Sequence, residues 1–316
     1  MLNYLLRRIL SLLITLVISS VVIFVSLEII PGDPASYMLG INAQPDTIEA
    51  LREELGLNRN KFERYLVWVK NMISGDFGIS YTYRSPVNEM VLERLRVSLP
   101  LALLALFIST MIAIPVGIYA AANYGKPSDF SIMGLTQFGI ALPNFWFAIL
   151  LVYLFAITLR WFSAGGFAGW DEGFLLGLKS LLLPAISLAL PQASILSRVM
   201  RSSLLETLNE DFIKTARAKG LTENQSLLRH GVRNALIPVF TILGLQFSFL
   251  IAGAIIIENV FFLPGLGRLI FQSIAQRDLI VVESVIMLLV FAVVIVNFLI
   301  DIAYLVIDPR LRVKTL

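Results

Sequence analysis

Six long apolar stretches constrain the fold of this 316-residue chain more than any other feature. A helix rises about 1.5 Å per residue and the hydrocarbon core of a bilayer is about 30 Å thick, so about 20 apolar residues can cross it. The chain is 57% hydrophobic and 15% charged, whereas soluble domains carry about 25% charged residues. We therefore predict an all-α polytopic membrane protein with six transmembrane helices, near residues 9–30, 97–122, 131–159, 178–199, 236–257 and 279–307.

Lysine and arginine residues predict how these helices are oriented. Arg7 and Arg8 precede the first stretch, which places the N-terminus in the cytoplasm, and six crossings return the C-terminus there. Further basic residues on the predicted cytoplasmic side are Arg198, Arg201, Lys214, Arg217, Lys219, Arg229, Arg233, Arg310, Arg312 and Lys314. The net charge of +3 reflects this bias, and we expect no binding of nucleic acid.

The sequence divides into three segments. Residues 1–30 form an N-terminal anchor helix, which is too long for a signal-peptide core and which we expect to be retained. Residues 31–96 form an extracytoplasmic helical cap, called the cap region below. Residues 97–316 form the core transmembrane domain.

Two helices are predicted in the cap region. Asp46 and Glu49 match a capping box that starts the first helix, and Gly56 matches its end. The second, amphipathic helix is predicted by the spacing of Phe62, Tyr65, Leu66 and Val69.

Residues 204–235, called segment 204–235, form a polar excursion on the predicted cytoplasmic side. Every fourth residue is apolar at Leu204, Leu208, Phe212 and Ala216, so we predict one helical face that ends at Gly220. Thr222 and Gln225 match a capping box that starts a second helix. Two short helices joined at a glycine would form a compact knob that receives force from another protein. An ordinary solvated loop is the alternative.

Catalytic and metal-binding motifs are absent from the sequence. It has no phosphate-binding loop, no H-E-x-x-H, no G-x-S-x-G, no cysteine and a single histidine, His230. We therefore expect this chain not to be an enzyme and to hold no metal. A secondary carrier is disfavoured because it would need ionisable groups near the middle of the membrane, which are missing. A membrane enzyme is disfavoured because no catalytic group of residues is present.

Proline and amide side chains are the notable features of the apolar stretches. We expect Pro115, Pro143, Pro184 and Pro191 to kink or interrupt helices. The amides are Gln137, Asn144, Gln192, Gln246, Asn259 and Asn297. Hydrogen bonding between helices is their ordinary role, and contact with a transported substrate is the alternative.

Several ordered sequence blocks resemble those of one protein family. They are Pro31-Gly32-Asp33-Pro34, Leu55-Gly56-Leu57, Gly75-Asp76-Phe77-Gly78-Ile79-Ser80, Pro86-Val87, Pro143-Asn144-Phe145-Trp146, Ala216-Arg217-Ala218-Lys219-Gly220-Leu221, Glu258-Asn259-Val260-Phe261, Pro264-Gly265-Leu266-Gly267-Arg268, Arg277-Asp278 and Asp308-Pro309-Arg310. Over nearly its full length the chain resembles the first membrane subunit of peptide-type ABC importers, the dipeptide, oligopeptide and nickel permease group.

The resemblance implies a type I ABC importer transmembrane-domain fold and a coupling role for segment 204–235. Lys214, Thr215 and Ala216 stand where importers in general have Glu-Ala-Ala, and Gly220 matches the general glycine. Lys214 departs from that pattern in a way usual for the peptide group. The implied coupling residues are Phe212, Thr215, Ala216, Arg217, Ala218, Lys219, Gly220 and Leu221. The candidate pathway and outer-gate residues are Gln137, Asn144, Gln192, Gln246, Glu258 and Asn259.

The resemblance also implies the partners. They are a homologous second permease subunit, two ATP-binding cassette subunits that bind ATP and magnesium, an extracytoplasmic substrate-binding protein and the lipid bilayer. No cofactor is expected on this chain. The implied location is the cytoplasmic membrane of a bacterium or archaeon. Di- or oligopeptides are the expected cargo, with glutathione, nickel or another metal chelate as alternatives.

Overall fold

The computed structural model describes residues 2–29, 32–40 and 43–307. Its α-helices are α1 (Leu2–Ile29), α2 (Pro34–Leu39), α3 (Pro45–Glu54), α4 (Lys61–Ile73), α5 (Val87–Ala122), α6 (Pro127–Ala141), α7 (Asn144–Leu151), α8 (Phe174–Leu208), α9 (Asp211–Ala218), α10 (Glu223–Ser226), α11 (Val232–Val260), α12 (Leu266–Ala275) and α13 (Leu279–Ile307). Two π-helical turns, Val152–Thr158 and Leu227–Gly231, continue α7 and α10. The all-α prediction is confirmed. The predicted blocks at Pro31 and 308–310 lie outside the described residues.

Five helical stretches of the described chain are long and apolar enough to cross a membrane. They are Leu6–Ile29, Val87–Ala122, Phe174–Leu208, Glu223–Val260 and Leu279–Ile300. A sixth crossing results if Pro127–Ala141 and Asn144–Thr158 are counted as one broken span.

The third predicted span, residues 131–159, is interrupted at Pro143, as the sequence predicts. Its two halves meet at an angle of 99°. Leu142 is extended, with φ −76° and ψ 125°, and Pro143 caps the second half. The proline ring disfavours a helical conformation at the preceding residue, so the helix ends there.

The other prolines predicted to kink or interrupt helices do not interrupt them. Pro115 lies within α5, and Pro184 and Pro191 lie within α8, which runs unbroken over 35 residues. Neighbouring helices can satisfy the backbone groups that a proline leaves free, so membrane helices tolerate it.

The chain forms two compact units. The first unit comprises Met1–Ser98 and Pro264–Phe298, and the second comprises Leu99–Leu263 and Leu299–Leu316.

In the first unit, α4 packs along α1. The Phe24 ring lies 5.4 Å from that of Tyr65 and 6.2 Å from that of Trp68, and the Tyr65 hydroxyl lies 2.9 Å from Ser20 Oγ. Glu28 in α1 forms ion pairs with Arg64 at 2.6 Å and with Lys61 at 3.2 Å, and both basic residues lie in the first turn of α4. These contacts fix the amphipathic helix that the sequence predicts.

The predicted capping box of α3 is wrong. The N-cap residue is Gln44 and Pro45 is the first helical residue, so Asp46 already lies inside the first turn. Proline is well suited to the first helical position, because the backbone N–H that it lacks would have no acceptor within the helix there. The predicted end of the helix is confirmed, since Gly56 has φ +67° directly after the C-cap residue Leu55.

In the second unit, α8 packs against α6 and α11. Gln246 Nε2 donates a hydrogen bond of 2.9 Å to the carbonyl oxygen of Gln192, which joins α11 to α8. The buried core beside this bond includes Leu196, Met200 and Val239. Segment 204–235 extends from this core, because Leu204 and Ala235 belong to the same buried cluster.

Candidate functional site: segment 204–235 and the polar residues of the spans

Segment 204–235 begins with a break that the sequence does not predict. Helix α8 ends at Leu208, Glu210 is extended with ψ 148°, and α9 begins at Asp211. The expected single helical face from Leu204 to Ala216 is therefore wrong. An acidic residue in a first helical turn is favourable at the positive end of the helix dipole, which suits Asp211 to a new start.

Helix α9 is amphipathic. Ile213 is fully buried and Ala216 is 8% exposed, so these two residues attach the helix to the protein. Phe212 is 43% exposed although it is a large apolar residue. The other exposed residues predicted to couple are Thr215, Arg217, Ala218, Lys219 and Gly220, while Leu221 is half-buried. The helix thus presents an exposed face with Phe212 on it.

Gly220 ends α9 as predicted. Its φ is +96°, the N–H of Leu221 donates to the carbonyl of Ala216 at 3.3 Å, and the N–H of Gly220 donates to that of Arg217 at 2.9 Å. This pair of bonds is the Schellman motif, which satisfies the last carbonyls of a helix and requires a left-handed residue.

The predicted capping box at Thr222 is confirmed. Thr222 Oγ1 accepts from the N–H of Gln225 at 3.3 Å, and Gln225 Oε1 accepts from the N–H of Thr222 at 3.1 Å. The helix that starts here is not short, however, because α10, a π-turn and α11 form one apolar span over Glu223–Val260. The knob is therefore one short helix joined by a tight turn to the beginning of a long membrane helix.

Side-chain contacts hold the two parts of the knob together. Arg217 Nε donates to Ser226 Oγ at 3.3 Å, and its Nη1 lies 3.6 Å from Glu223 Oε1. The hydroxyl of Ser203 in α8 also donates a hydrogen bond of 2.9 Å to the carbonyl oxygen of Ala235 in α11. The first contacts join α9 to α10, and the last joins α8 to the beginning of α11.

The first turn of α9 contains an exposed ion pair. Lys214 Nζ lies 2.8 Å from Asp211 Oδ1. The hydrogen bond from Lys214, and its charge, lower the pKa of Asp211, and the same contact raises the pKa of Lys214. Both groups are charged at neutral pH, so the Lys214 side chain is occupied within its own helix.

The predicted pathway amides fall into two groups. Gln192 and Gln246 are 8% and 2% exposed and contact each other between α8 and α11, which is the ordinary interhelical role. Gln137 is exposed on α6 and accepts a hydrogen bond of 3.0 Å from Arg198. Both residues line a cavity of 640 Å³ in the second unit, together with Arg201.

The remaining candidates lie at the ends of helices. Asn144 is half-buried at the first position of α7, and its amide nitrogen lies beside Gly253 of α11. Asn259 is half-buried, and its amide donates back to the carbonyl of Ile255 at 2.7 Å. Glu258 is fully buried at the end of α11.

An ion pair in the second unit was not predicted. Arg201 donates two hydrogen bonds of 2.7 Å to the carboxylate of Asp129, which is 1% exposed, and its guanidinium lies 5.2 Å from the centre of the Tyr124 ring. No local spacing could predict this pair, because its members lie 72 residues apart. Among the described residues, no group of three or more histidine, cysteine, aspartate or glutamate side chains could hold a metal ion.

Two family models match the chain. Residues 113–313 match the binding-protein-dependent transport system inner membrane component, and residues 1–102 match the N-terminal part of such a membrane component. Together they cover the helices that carry the segment and the spans described above.

Relatives of known name match over nearly the full length. A "Putative peptide transport system permease protein" of Brucella abortus (strain 2308) is 41% identical, over 97% of this chain and 98% of its own. The glutathione transport system permease protein GsiC of Escherichia coli (strain K12) is 36% identical, over 99% of this chain and 100% of its own.

Among solved structures, a chain of the MetNI methionine ABC transporter, in an inward-facing conformation, has a similar fold. The TM-score is 0.58 with 17% identity, over 69% of this chain and 96% of that chain. Proteins of this family are transmembrane permease subunits and not enzymes, with ATP hydrolysis on separate subunits. The present chain belongs to this family, the inner membrane components of binding-protein-dependent transport systems, and is a permease subunit of an ABC importer.

Proposed function

We propose that segment 204–235 docks on an ATPase subunit and passes its movement to the membrane helices. The observation that supports this most directly is the construction of α9. Its inner side is attached through Ile213 and Ala216, while Phe212 and Thr215 remain exposed. The predicted coupling residues Arg217, Ala218, Lys219, Gly220 and Leu221 follow on the same element, and Ala216 positions it from the buried side.

The chain works with several partners in this proposal. It pairs with a homologous second permease subunit, and the pathway runs between the two. Two ATP-binding cassette subunits bind ATP and magnesium and move the segment on closure. A substrate-binding protein delivers cargo to the cap region, residues 31–96, next to the anchor helix of residues 1–30, while residues 97–316 form the core. Both termini lie in the cytoplasm, and the membrane is the cytoplasmic membrane of a bacterium or archaeon.

Gln137 and Arg198 are the residues best placed to line the pathway. They share a hydrogen bond and the wall of one cavity. Arg198 is exposed at the cytoplasmic end of its span, so we propose that it lines the inner mouth of the pathway. Asn144 is a further candidate, and Glu258 and Asn259 are proposed to shape the outer gate.

Peptides are the proposed cargo, because the Brucella relative is named for peptide transport and matches along the whole chain. Glutathione is the second candidate, since GsiC is named for it and is 36% identical. Glutathione is itself a modified tripeptide, so both candidates place peptide bonds and charged termini in the pathway.

The proposal is tested by copurification of this chain with the products of its neighbouring genes, followed by an ATPase assay. We expect a stable complex whose hydrolysis rises when the binding protein is added loaded with a peptide. Binding protein loaded with glutathione or with a nickel chelate provides the comparison of cargo. A chain that purifies alone, or a complex whose hydrolysis ignores every loaded binding protein, would contradict the proposal.

A further inference from the structure

A cavity of 230 Å³, called the cap cavity, lies within the first unit. Its walls come from α1, the α3–α4 connection, α4, the loop before α5 and α13, and the residues that matter below are Phe24, Arg59, Arg64, Trp68, Tyr81 and Glu283. This volume is below the 300–1,000 Å³ typical of pockets for drug-sized ligands, so the cavity suits a smaller molecule.

Glu283 is the unusual member of this wall. Its side chain lies on α13 and is 7% exposed. Its carboxylate forms no hydrogen bond or ion pair with any residue in the described part of the chain. A buried carboxylate is normally paired, because removal of a charge from water without a partner costs several kcal/mol.

The nearest basic residue in the wall is already engaged. Arg64 forms its ion pair with Glu28 at 2.6 Å, where Lys61 also contacts the same carboxylate. The positive charge of Arg64 acts on Glu283 only at longer range, without a hydrogen bond between the two side chains. The cavity therefore presents a buried carboxyl group that lacks a direct cationic partner among the residues described.

The same cavity contains hydrogen-bond donors without acceptors. Arg59 is exposed at the α3–α4 connection and forms no ion pair with a described residue. Burial raises the pKa of Tyr81 to about 12, so its hydroxyl keeps its proton. The donors complement a ligand that carries an anionic or carbonyl oxygen.

We propose that the cap cavity binds a small zwitterion, an amino acid or the amino-terminal end of a short peptide. Its ammonium group pairs with Glu283, beside the rings of Phe24 and Trp68, whose faces attract cations. Its carboxylate or first carbonyl accepts from Arg59. This binding site lies outside segment 204–235 and goes beyond the coupling role proposed above.

The test uses the assembled importer in lipid nanodiscs, without binding protein and without ATP. Binding of alanyl-alanine is measured by titration calorimetry for the wild type and for Glu283→Gln, which removes the charge at nearly constant volume. We expect a measurable affinity in the wild type and a loss of at least tenfold in the variant. N-acetyl-alanyl-alanine, which lacks the ammonium group, should bind the wild type at least tenfold more weakly.

Glu63→Gln is the matched control, because Glu63 is an exposed glutamate of α4 that does not line the cavity. We expect its affinity to stay within twofold of the wild type. No binding by the wild type would overturn the proposal. Equal affinities for Glu283→Gln or for the acetylated peptide would overturn it too, because binding would then occur elsewhere. Complex formation and ATPase stimulation test the coupling role and do not require Glu283.

Discussion

Gly220 ends α9 in a backbone conformation that other residues adopt only at a cost. Its φ is +96°, and a Cβ added there would meet no atom within 4 Å. Replacement by valine therefore strains the backbone by about 1 kcal/mol or more without any steric clash. We expect Gly220→Val to lower transport and substrate-stimulated ATPase activity while the protein still inserts into the membrane, as measured in proteoliposomes.

Gly169 provides a matched control in the same unit. It has φ +88° and equally open surroundings, but it lies in the loop before α8. Gly169→Val introduces similar strain outside segment 204–235, so ATPase stimulation should remain near the wild-type value. Equal activities for Gly220→Val and the wild type would remove the support that this glycine gives to a coupling role.

The ion pair between Asp129 and Arg201 makes a prediction about stability. Asp129 is almost fully buried, so Asp129→Ala leaves the Arg201 guanidinium without its carboxylate. Loss of one partner of a fully buried pair costs about 3–5 kcal/mol, and the cost here is smaller because the Arg201 side chain is 22% exposed. We expect Asp129→Ala to have a clearly lower melting temperature in detergent than the wild type.

The double variant Asp129→Leu/Arg201→Met replaces both charges with apolar groups and should recover most of the lost melting temperature. A double variant no more stable than Asp129→Ala would contradict this role of the ion pair.

Predictability at the residue scale depends on how far apart the partners are in sequence. Gly220 and the pair Thr222 and Gln225 act through neighbours within five residues, so the sequence predicts their structure correctly. The contact between Gln192 and Gln246 joins residues 54 positions apart. Local patterns contain no information on such pairs, because the packing of the helices creates them.

At the level of helices, α8 and the turn after α10 approach each other at Gly231. A Cβ on this glycine would lie 3.0 Å from Leu204 Cδ1 and 3.3 Å from Leu208 Cδ2. Gly231→Ala should therefore force these side chains apart, and overpacking of this kind costs about 1–3 kcal/mol. We expect weaker coupling between ATPase activity and transport, measured as the number of ATP molecules hydrolysed per substrate imported.

Gly134→Ala is the control for this change, because Gly134 lies in α6 with nothing within 4 Å of its added Cβ. Its ratio of hydrolysis to transport should match that of the wild type. If Gly231→Ala gave the same ratio as Gly134→Ala, the close approach of α8 would not matter for coupling.

The breaks between helices were harder to predict than the helices. Hydropathy locates the apolar stretches, but it does not distinguish a straight span from one that bends by 99° at Leu142 and Pro143. The apolar repeat from Leu204 to Ala216 likewise continues across the break at Glu210. Two extended residues at Leu142 and Pro143, and one at Glu210, change the helix direction while the hydrophobic pattern persists.

At the scale of the whole chain, composition and hydropathy suffice for the all-helical membrane class. They do not predict that residues 264–298 belong to the same compact unit as residues 1–98. Asp278 illustrates the reason, because it accepts hydrogen bonds from the N–H groups of Tyr81 and Thr82 at 3.2 and 3.0 Å, about 200 positions away in sequence. Such links depend on tertiary structure, so the linear segments of the sequence and the compact units differ.

Cross-linking of segment 204–235 in the assembled importer tests the coupling role most directly. The chain has no cysteine, so a single introduced thiol can be labelled with a photoreactive maleimide at one site. Thr215 is exposed on α9, and Asp171 is exposed in the loop before α8. We predict that Thr215→Cys yields an adduct with an ATPase subunit and that Asp171→Cys yields none. An ATPase adduct of equal yield from both positions, or none from Thr215→Cys in an intact complex, would contradict the coupling role.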